Sequence, residues 1–328
     1  MTSPRVTRTS RPISRKRWPF VAISGLSVCL FVCIGWYVLD AWTFRPKGEI
    51  AYECEGPDSV SQICIINADG NNRRLITSGE MYYESPAWSP DGRFLAFIGL
   101  QNKSHSVLIY DYFLQNTRTL LARPRDSSTD FLNQVVWSPS GNELLLDARL
   151  ADRDGIYSVD VIRESADPSF IVAKGYAPTY RSAVMNDGSG IIYIDSRLKD
   201  PVLSEYDEQM SIIDMDGANG RTLPTLCDDI AISPDNTMAL CAGNHEYFAV
   251  NLIDWSRTDV KNWAIQVFGF RQPAWSPDGQ YIVYKQQHLP TLLANRNGEL
   301  WIMRADGSHP VKLTNGPNDR NPAWRPQP

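Results

Sequence analysis

The heptapeptide Pro273-Ala274-Trp275-Ser276-Pro277-Asp278-Gly279 decides the fold, because the chain uses it repeatedly. An identical copy runs from Pro86 to Gly92, with Trp88, Pro90, Asp91 and Gly92 in the same places. Val135-Val136-Trp137-Ser138-Pro139-Ser140-Gly141 is a near copy, and Pro322-Ala323-Trp324-Arg325-Pro326 is a partial one. Ala-Trp reads as the end of a short apolar strand. Ser-Pro-Asp-Gly is turn chemistry, in which proline sets φ to about −65° and glycine accepts φ > 0 where the next strand begins. The runs that follow, Arg93-Phe94-Leu95-Ala96-Phe97-Ile98 and Gln280-Tyr281-Ile282-Val283-Tyr284, are aromatic and β-branched over strand length.

Spacing turns the phrase into an architecture. With the turn aspartate as landmark, Asp91, Ser140 in its place, Asp187, Asp235 and Asp278 stand 49, 47, 48 and 43 residues apart, a period typical of propeller blades. Two copies have decayed, at Ala183 to Gly188 and at Ala231 to Asp235, but the strands after them keep the register. A second landmark falls late in the repeats: Ile63 to Gly70, Ser211 to Gly217 and Leu300 to Gly307 each end in Asp-Gly and are followed by a leucine strand. These are third and fourth strands joined by a hairpin. The unit is a four-stranded antiparallel sheet, and a ring of such sheets covers both faces of each by packing blade on blade. The first repeat lacks its Pro-Ala-Trp strand, and the last leaves one over at Trp324. Joining them gives six blades, one shared between the two ends of the sequence. The fold expected is all-β, a six-bladed propeller over residues 48–328.

These motifs resemble the TolB-type six-bladed β-propeller built from PD40 (WD40-like) repeats. The resemblance covers Gly48 to Pro328 and is clearest in repeats one, two and six. It implies that Trp88, Pro90, Asp91, Gly92, Trp137, Pro139, Trp275, Pro277, Asp278, Gly279 and Trp324 are structural. Because that family includes propellers attached to prolyl oligopeptidase-type enzymes, it implies the fold more than the task.

The first 47 residues are of another kind. Residues 1–17 carry Arg5, Arg8, Arg11, Arg15, Lys16 and Arg17 with no acid, and the chain's formal charge of −5 therefore leaves −11 on the remainder. So acidic a remainder argues against nucleic acid, whose binding rests on Lys and Arg. Trp18 to Leu39 is uncharged and apolar over 22 residues, enough to cross a hydrocarbon core as one helix. Trp18, Trp36, Tyr37 and Trp42 stand where an interfacial aromatic belt would lie, and the basic tail belongs in the cytoplasm. Residues 40–47 form a short juxtamembrane link. A cleaved leader is the rival reading, but no small-x-small site follows Leu39, and in Leu26-Ser27-Val28-Cys29 Val28 fills the place a lipoprotein box reserves for a small residue. The expectation is a single-pass membrane protein with its propeller outside the cytoplasm.

Cysteine usage fits that division. Cys29 and Cys33 fall in the apolar segment, while Cys54, Cys64, Cys227 and Cys241 fall in the exported part, where disulfides persist. Cys54 and Cys64 flank a loop containing Gly56-Pro57-Asp58, and Cys227 and Cys241 flank the turn at Pro234-Asp235-Asn236. Two local disulfides and four buried thiols, which behave as small hydrophobes, are both open readings.

Catalytic signals are sparse. There is no G-x-S-x-G elbow, and His105, His245, His288 and His309 are scattered, so any metal use of His245-Glu246 and His288 would have to be assembled through space. Asn67 to Asn71, Asp152 to Gly155 and Asp214 to Gly217 lack the bidentate glutamate of a calcium loop and read as turns. Arg118 to Arg125 reads as a solvated basic loop, and Asn102-Lys103-Ser104 is a glycosylation sequon of use only in a secretory cell. No catalytic residue, cofactor or metal is assigned. The reading is a membrane-anchored binding or scaffolding module with a protein partner; the alternative is a hydrolase or lyase acting on peptide or carbohydrate at the channel mouth. Gln101 to Ser106, Arg123 to Phe131, Asp195 to Gln209 and Gln286 to Gly298 read as long loop insertions, and partner contact is expected there.

Overall fold

The structure is a computed structural model that describes residues 44–327 apart from 103, 124–129, 164–166, 174–181, 201–204, 225–226, 228, 244–245, 260–269 and 287–297. The apolar segment 18–39 and its flanks therefore lie outside the described residues. Among the described residues no helix is long and apolar enough to cross a membrane.

Six four-stranded antiparallel sheets account for the rest. The first holds β1 (Glu49–Glu55), β2 (Ser61–Asn67) and β3 (Arg74–Leu75). The second is β4 (Tyr82–Trp88), β5 (Phe94–Gln101), β6 (Ser104–Asp111) and β7 (Asn116–Arg123). The third is β8 (Phe131–Trp137), β9 (Glu143–Leu150), β10 (Arg153–Asp160) and β11 (Ser169–Ala173). The fourth is β12 (Ala183–Val184), β13 (Ile191–Asp200), β14 (Glu205–Ile213) and β15 (Arg221–Thr222). The fifth is β16 (Asp229–Ile232), β17 (Met238–Gly243), β18 (Glu246–Asn251) and β19 (Arg257–Asp259). The sixth is β20 (Phe270–Trp275), β21 (Tyr281–Gln286), β22 (Glu299–Arg304) and β23 (Val311–Lys312). The last strand, β24 (Arg320–Trp324), pairs with β1 and completes the first blade, with Trp324 opposite Ile50 and Ala323 opposite Ala51. The ring is closed by joining the two ends of the described chain, as the divided phrase requires.

Blade-on-blade packing makes the core. Ala51, Ile63 and Ile65 of the first blade meet Trp88, Leu95 and Phe97 of the second. Ile98 and Val107 of the second meet Leu144 and Leu146 of the third, and Ile282 and Met303 of the sixth meet Leu240 of the fifth. Each strand is half of two interfaces, one per face, which is why alternate residues in β1, β5 and β9 are equally buried.

Because the strands alternate in direction, every first-to-second and third-to-fourth connection lies at one end of the ring, called here the turn end. Every second-to-third connection and every crossover to the next blade lies at the other, the loop end. Serine and aspartate build the turn end in the same way in the second, fifth and sixth blades. The Ser276 hydroxyl donates to the Asp278 carboxylate (2.6 Å) and accepts the Tyr281 N–H (2.8 Å), while Asp278 also takes the Gln280 N–H (3.0 Å) and Gly279 sits at φ 68°. Ser89 with Asp91 and Ser233 with Asp235 repeat the arrangement.

Three expectations are corrected. Gln101 to Ser106 is a tight hairpin, with Gln101 opposite Ser104. Asp195 to Gln209 is largely ladder, paired from Asp195 with Gln209 out to Asp200 with Glu205. The basic run from Arg118 is strand β7, not a loop, through Arg123. The first is polar because it lies beyond the packed core, where an antiparallel ladder needs no apolar side chain, whereas β7 turns its basic residues outward and buries Leu120 and Leu121.

Candidate functional site

The six innermost strands enclose an axial cavity of about 530 Å³. They run in one direction, so equivalent residues form rings along the axis. At the turn end the ring is Pro90, Pro139, Asn186, Pro234, Pro277 and Pro326, and one layer inward Ala87, Val136, Ala183, Ala231, Ala274 and Ala323 line the wall. Apolar, rigid and without side-chain donors except at Asn186, this part of the channel offers a ligand shape rather than hydrogen bonds.

Towards the loop end the wall becomes polar. Ser85, Gln134, Asp229, Gln272 and Asn321 occupy equivalent places, three residues before the tryptophan position of their strands. Register shifts precede the tryptophan in β4, β8, β20 and β24, and Ser85, Gln272 and Asn321 lie in the left-handed region at φ 56°, 52° and 52°. These bulges free backbone N–H groups from the ladder. Side chains of the preceding blade take them up. Glu53 Oε1 accepts from Ser85 N (2.8 Å), Ser85 Oγ from Val135 N (3.2 Å) and Gln134 Oε1 from Ser182 N (3.0 Å). Further round, Asp229 Oδ2 accepts from Gln272 N (3.3 Å) and Gln272 Oε1 from Asn321 N (2.9 Å). The fourth blade's equivalent residue, Arg181, lies outside the described residues.

Charge concentrates where the fifth, sixth, first and second blades meet. Glu53, fully buried, is bound by the Arg320 guanidinium and the Asn321 amide. Arg271 lies 3.7 Å from Asp229. The Glu53 carboxylate, ahead of the cost of burial, holds the Arg320 guanidinium above its ordinary range. Burial first, and then the Arg320 charge, pulls the Lys285 ammonium below its own. A channel with an apolar throat and a mouth of mixed charge suits an extended peptide or a protein loop. Tyr82, at the start of β4 on the same rim, is 52% exposed.

The blade-motif residues take framework positions. Trp88, Trp137 and Trp324 are buried, and the indole N–H groups of Trp137 and Trp275 donate to Ala87 O (3.0 Å) and Ala231 O (3.1 Å) of the preceding blades. Cys54 is joined to Cys64 and Cys227 to Cys241, with Cα separations of 5.9 and 5.2 Å, and both pairs lie towards the loop end. His105 Nδ1 accepts Leu132 N (3.1 Å), a link between the second and third blades. His245 and His288 lie outside the described residues, as do Lys103 of the sequon and most of Arg123 to Phe131 and Gln286 to Gly298. Among the described residues no group of three or more His, Cys, Asp or Glu is placed to hold a metal. The polar ring was readable in principle, since Ser85, Gln134, Asp229, Gln272 and Asn321 all stand three residues before the tryptophan position.

Fold and channel together define a six-bladed β-propeller with its ring closed by β24 and a polar mouth at one end of the axis. A family model described as the TolB beta propeller domain (PD40) matches residues 47–328, and the chain belongs to that family. It is 31% identical over 81 residues to the Tol-Pal system protein TolB of Histophilus somni (strain 2336), covering 25% of this chain and 19% of that one. With its counterpart in Thioalkalivibrio sulfidiphilus the identity is 35% over 57 residues, 17% of this chain and 13% of that. The chain thus spans less than a fifth of the length of these relatives. The crystal structure of TolB from Acinetobacter baumannii superposes with a TM-score of 0.65 at 18% identity, over 88% of this chain and 70% of that one.

Proposed function

We propose that this protein is a membrane-anchored propeller, held by residues 18–39 with residues 1–17 in the cytoplasm, that binds a protein partner outside the cytoplasm at the loop-end mouth of its channel. The observation that carries the reading is the mouth itself: Asp229, Arg271, Lys285, Arg320 and Glu53 gathered beside an exposed tyrosine, over an apolar throat. The partly exposed guanidinium groups of Arg271 and Arg320, held in place by the buried Asp229 and Glu53, offer charge that selects a partner and its register, and an exposed tyrosine supplies apolar area with a polar tip. The relatives carry the name of a system rather than of a reaction, which supports binding over catalysis.

The experiment is in-cell cross-linking of the full chain followed by capture. A partner captured by the native protein and lost from Tyr82→Ala/Arg271→Ala, but kept by Asp254→Ala at the turn end, is the expected result. Equal capture by all three would remove the mouth from the account. Topology is checked separately: protease added to intact cells should remove the propeller and spare a tag before Met1.

A further inference from the structure

The turn end carries a second surface. In three blades the third strand ends in Asp or Asn, whose side chain takes the N–H two residues on. Asp111 Oδ1 accepts Phe113 N (2.9 Å), Asp160 Oδ1 accepts Ile162 N (2.8 Å) and Asn251 Oδ1 accepts Ile253 N (2.8 Å). The turn so formed pushes that third residue outward. Phe113 is 68% exposed, Ile162 77% and Ile253 80%, with Leu114 beside Phe113 at 66%. In the first, fourth and sixth blades the same place holds Asp69, Asp216 and Asp306. Large apolar side chains at the tips of structurally fixed turns, all at one end, are not explained by the core or by the channel.

The second and third blades differ from the others in charge as well. Asp111 is engaged by Arg93 (2.9 Å) and Asp160 by Arg163 (3.3 Å), and in the third blade Ser140 stands where the first-to-second turns of the second, fourth, fifth and sixth blades have Asp91, Asp187, Asp235 and Asp278. The opposite arc, over blades four to six, presents Asp187, Asp216, Asp235, Asp278 and Asp306. An apolar, charge-paired sector thus lies next to the first blade.

The chain enters at that same end. Gly48, just before β1, accepts Ala68 N (2.9 Å) in the third-to-fourth turn of the first blade, and Pro46 is buried. Only Asp40 to Arg45 then separate this point from the apolar segment, a reach of at most about 22 Å. A seven-residue strand such as β1 already spans about 23 Å from turn end to loop end. On the anchor reading of residues 18–39, so short a link makes the turn end the nearer one to a bilayer.

We propose that the turn end of the propeller docks on the lipid bilayer, with Phe113, Leu114 and Ile162 set into the interface, so that the channel mouth faces away from the membrane. The inference rests on the anchor reading of residues 18–39. Apolar tips held on rigid turns enter the headgroup boundary without any unfolding, in the way amphipathic elements lie on membranes. The acidic arc of blades four to six, in which the exposed Ile253 stands next to Asp254, stays in water, which tilts the ring towards blades two and three.

The test uses the full chain in nanodiscs of zwitterionic phospholipid bearing a carbene-generating group on the acyl chain, with adducts mapped by mass spectrometry after irradiation. Adducts are expected in residues 18–39 and in 111–114 and 160–163, several-fold above those in 149–153 at the loop end. Phe113→Asp/Ile162→Asp, both at exposed positions, should lower adducts on Leu114 and Arg163 several-fold and leave those in 18–39 unchanged. Adducts confined to 18–39 would overturn the docking and keep the anchor. No adducts in 18–39 would overturn both, and a protein dimer cross-linked through 111–114 would give the face to a second copy instead.

Discussion

The turn end and the loop end are made from the same six blades, yet one repeats its sequence and the other does not. At the turn end a serine, an aspartate and a glycine recur because the backbone must reverse in four residues and their side chains carry the hydrogen bonds that do it. At the loop end equivalent places hold serine, glutamine, aspartate or asparagine, and beside them Glu53, Lys285 and Arg320 occur once each. Repetition marks what the frame dictates. At the mouth the frame asks only for a polar side chain that reaches the next blade, so the residue type there can vary with what the mouth meets.

The largest effect is expected where both ends meet, at ring closure. Deleting Asn321 to Pro328 removes all of β24 but Arg320, its buried Trp324 and the Asn321 amide that binds Glu53. Trp324→Ala alone should cost about 3–5 kcal/mol, against a total of roughly 5–15 kcal/mol. Thermal melts of the detergent-solubilised chain should show the deletion insoluble or melting far lower. A truncated chain that melts within a degree or two of the native one would mean that the ring closes without β24.

The next effect belongs to the loop end alone. Glu53→Ala leaves Ser85 N, Arg320 and Asn321 without their acceptor in a closed site, at a cost of about 3 kcal/mol. Asp278→Ala, its counterpart at the turn end, frees an exposed turn and should cost about 1 kcal/mol. Urea melts order the two, and a larger loss in Asp278→Ala would reverse the assignment of buried polar structure to the mouth. Between these two in size come the disulfides. Non-reducing peptide maps should link Cys54 to Cys64 and Cys227 to Cys241, and loops of this length are worth about 2–3 kcal/mol each; recovery of Cys54 and Cys64 as free thiols from exported protein would contradict the pairing.

How much of this could be read in the chain follows the same division. Six blades, their four strands and the shared first blade were legible because the turn end writes them out in Trp-Ser-Pro-Asp-Gly and Asp-Gly. The third-to-fourth turns at Tyr112, Val161 and Leu252 were not, because there an aspartate or asparagine at the strand end performs the turn without Asp-Gly. The ladder from Asp195 to Gln209 was mistaken for a loop because hydrophobic pattern reports burial, and that hairpin is long and polar. The bulges at Ser85, Gln272 and Asn321 left no local signal beyond the proline that follows each, since the hydrogen bonds that hold them come from another blade.

The smallest effect separates the two ends by sign. The hydroxyls of Ser189, Ser233, Ser256 and Ser308, ahead of the backbone N–H groups beside them, hold the carboxylates of Asp187, Asp235, Asp254 and Asp306 below the usual carboxylate range. Such groups contribute stability above the unfolded value of about 3.9 and lose it as pH falls through the lowered folded value. Asp319, in the crossover that leads into β24 at the loop end, is the reverse case: burial pushes its carboxyl up, against the hydrogen bonds from Thr314 and Gly316. Its protonated form is the one the fold prefers, so it opposes folding once pH rises past the raised value and ceases to oppose it on acidification. The native melting temperature should be level from neutral pH to the upper edge of the carboxylate range and fall by a few degrees below about pH 4. Ser233→Ala should flatten that fall. Asp319→Asn, which has no proton to gain, should steepen it while leaving the neutral melting temperature equal or higher. The same slope in all three proteins would mean that neither end's aspartates are coupled to folding, and a fall flattened by Asp319→Asn would show that Asp319 is held ionised in the fold.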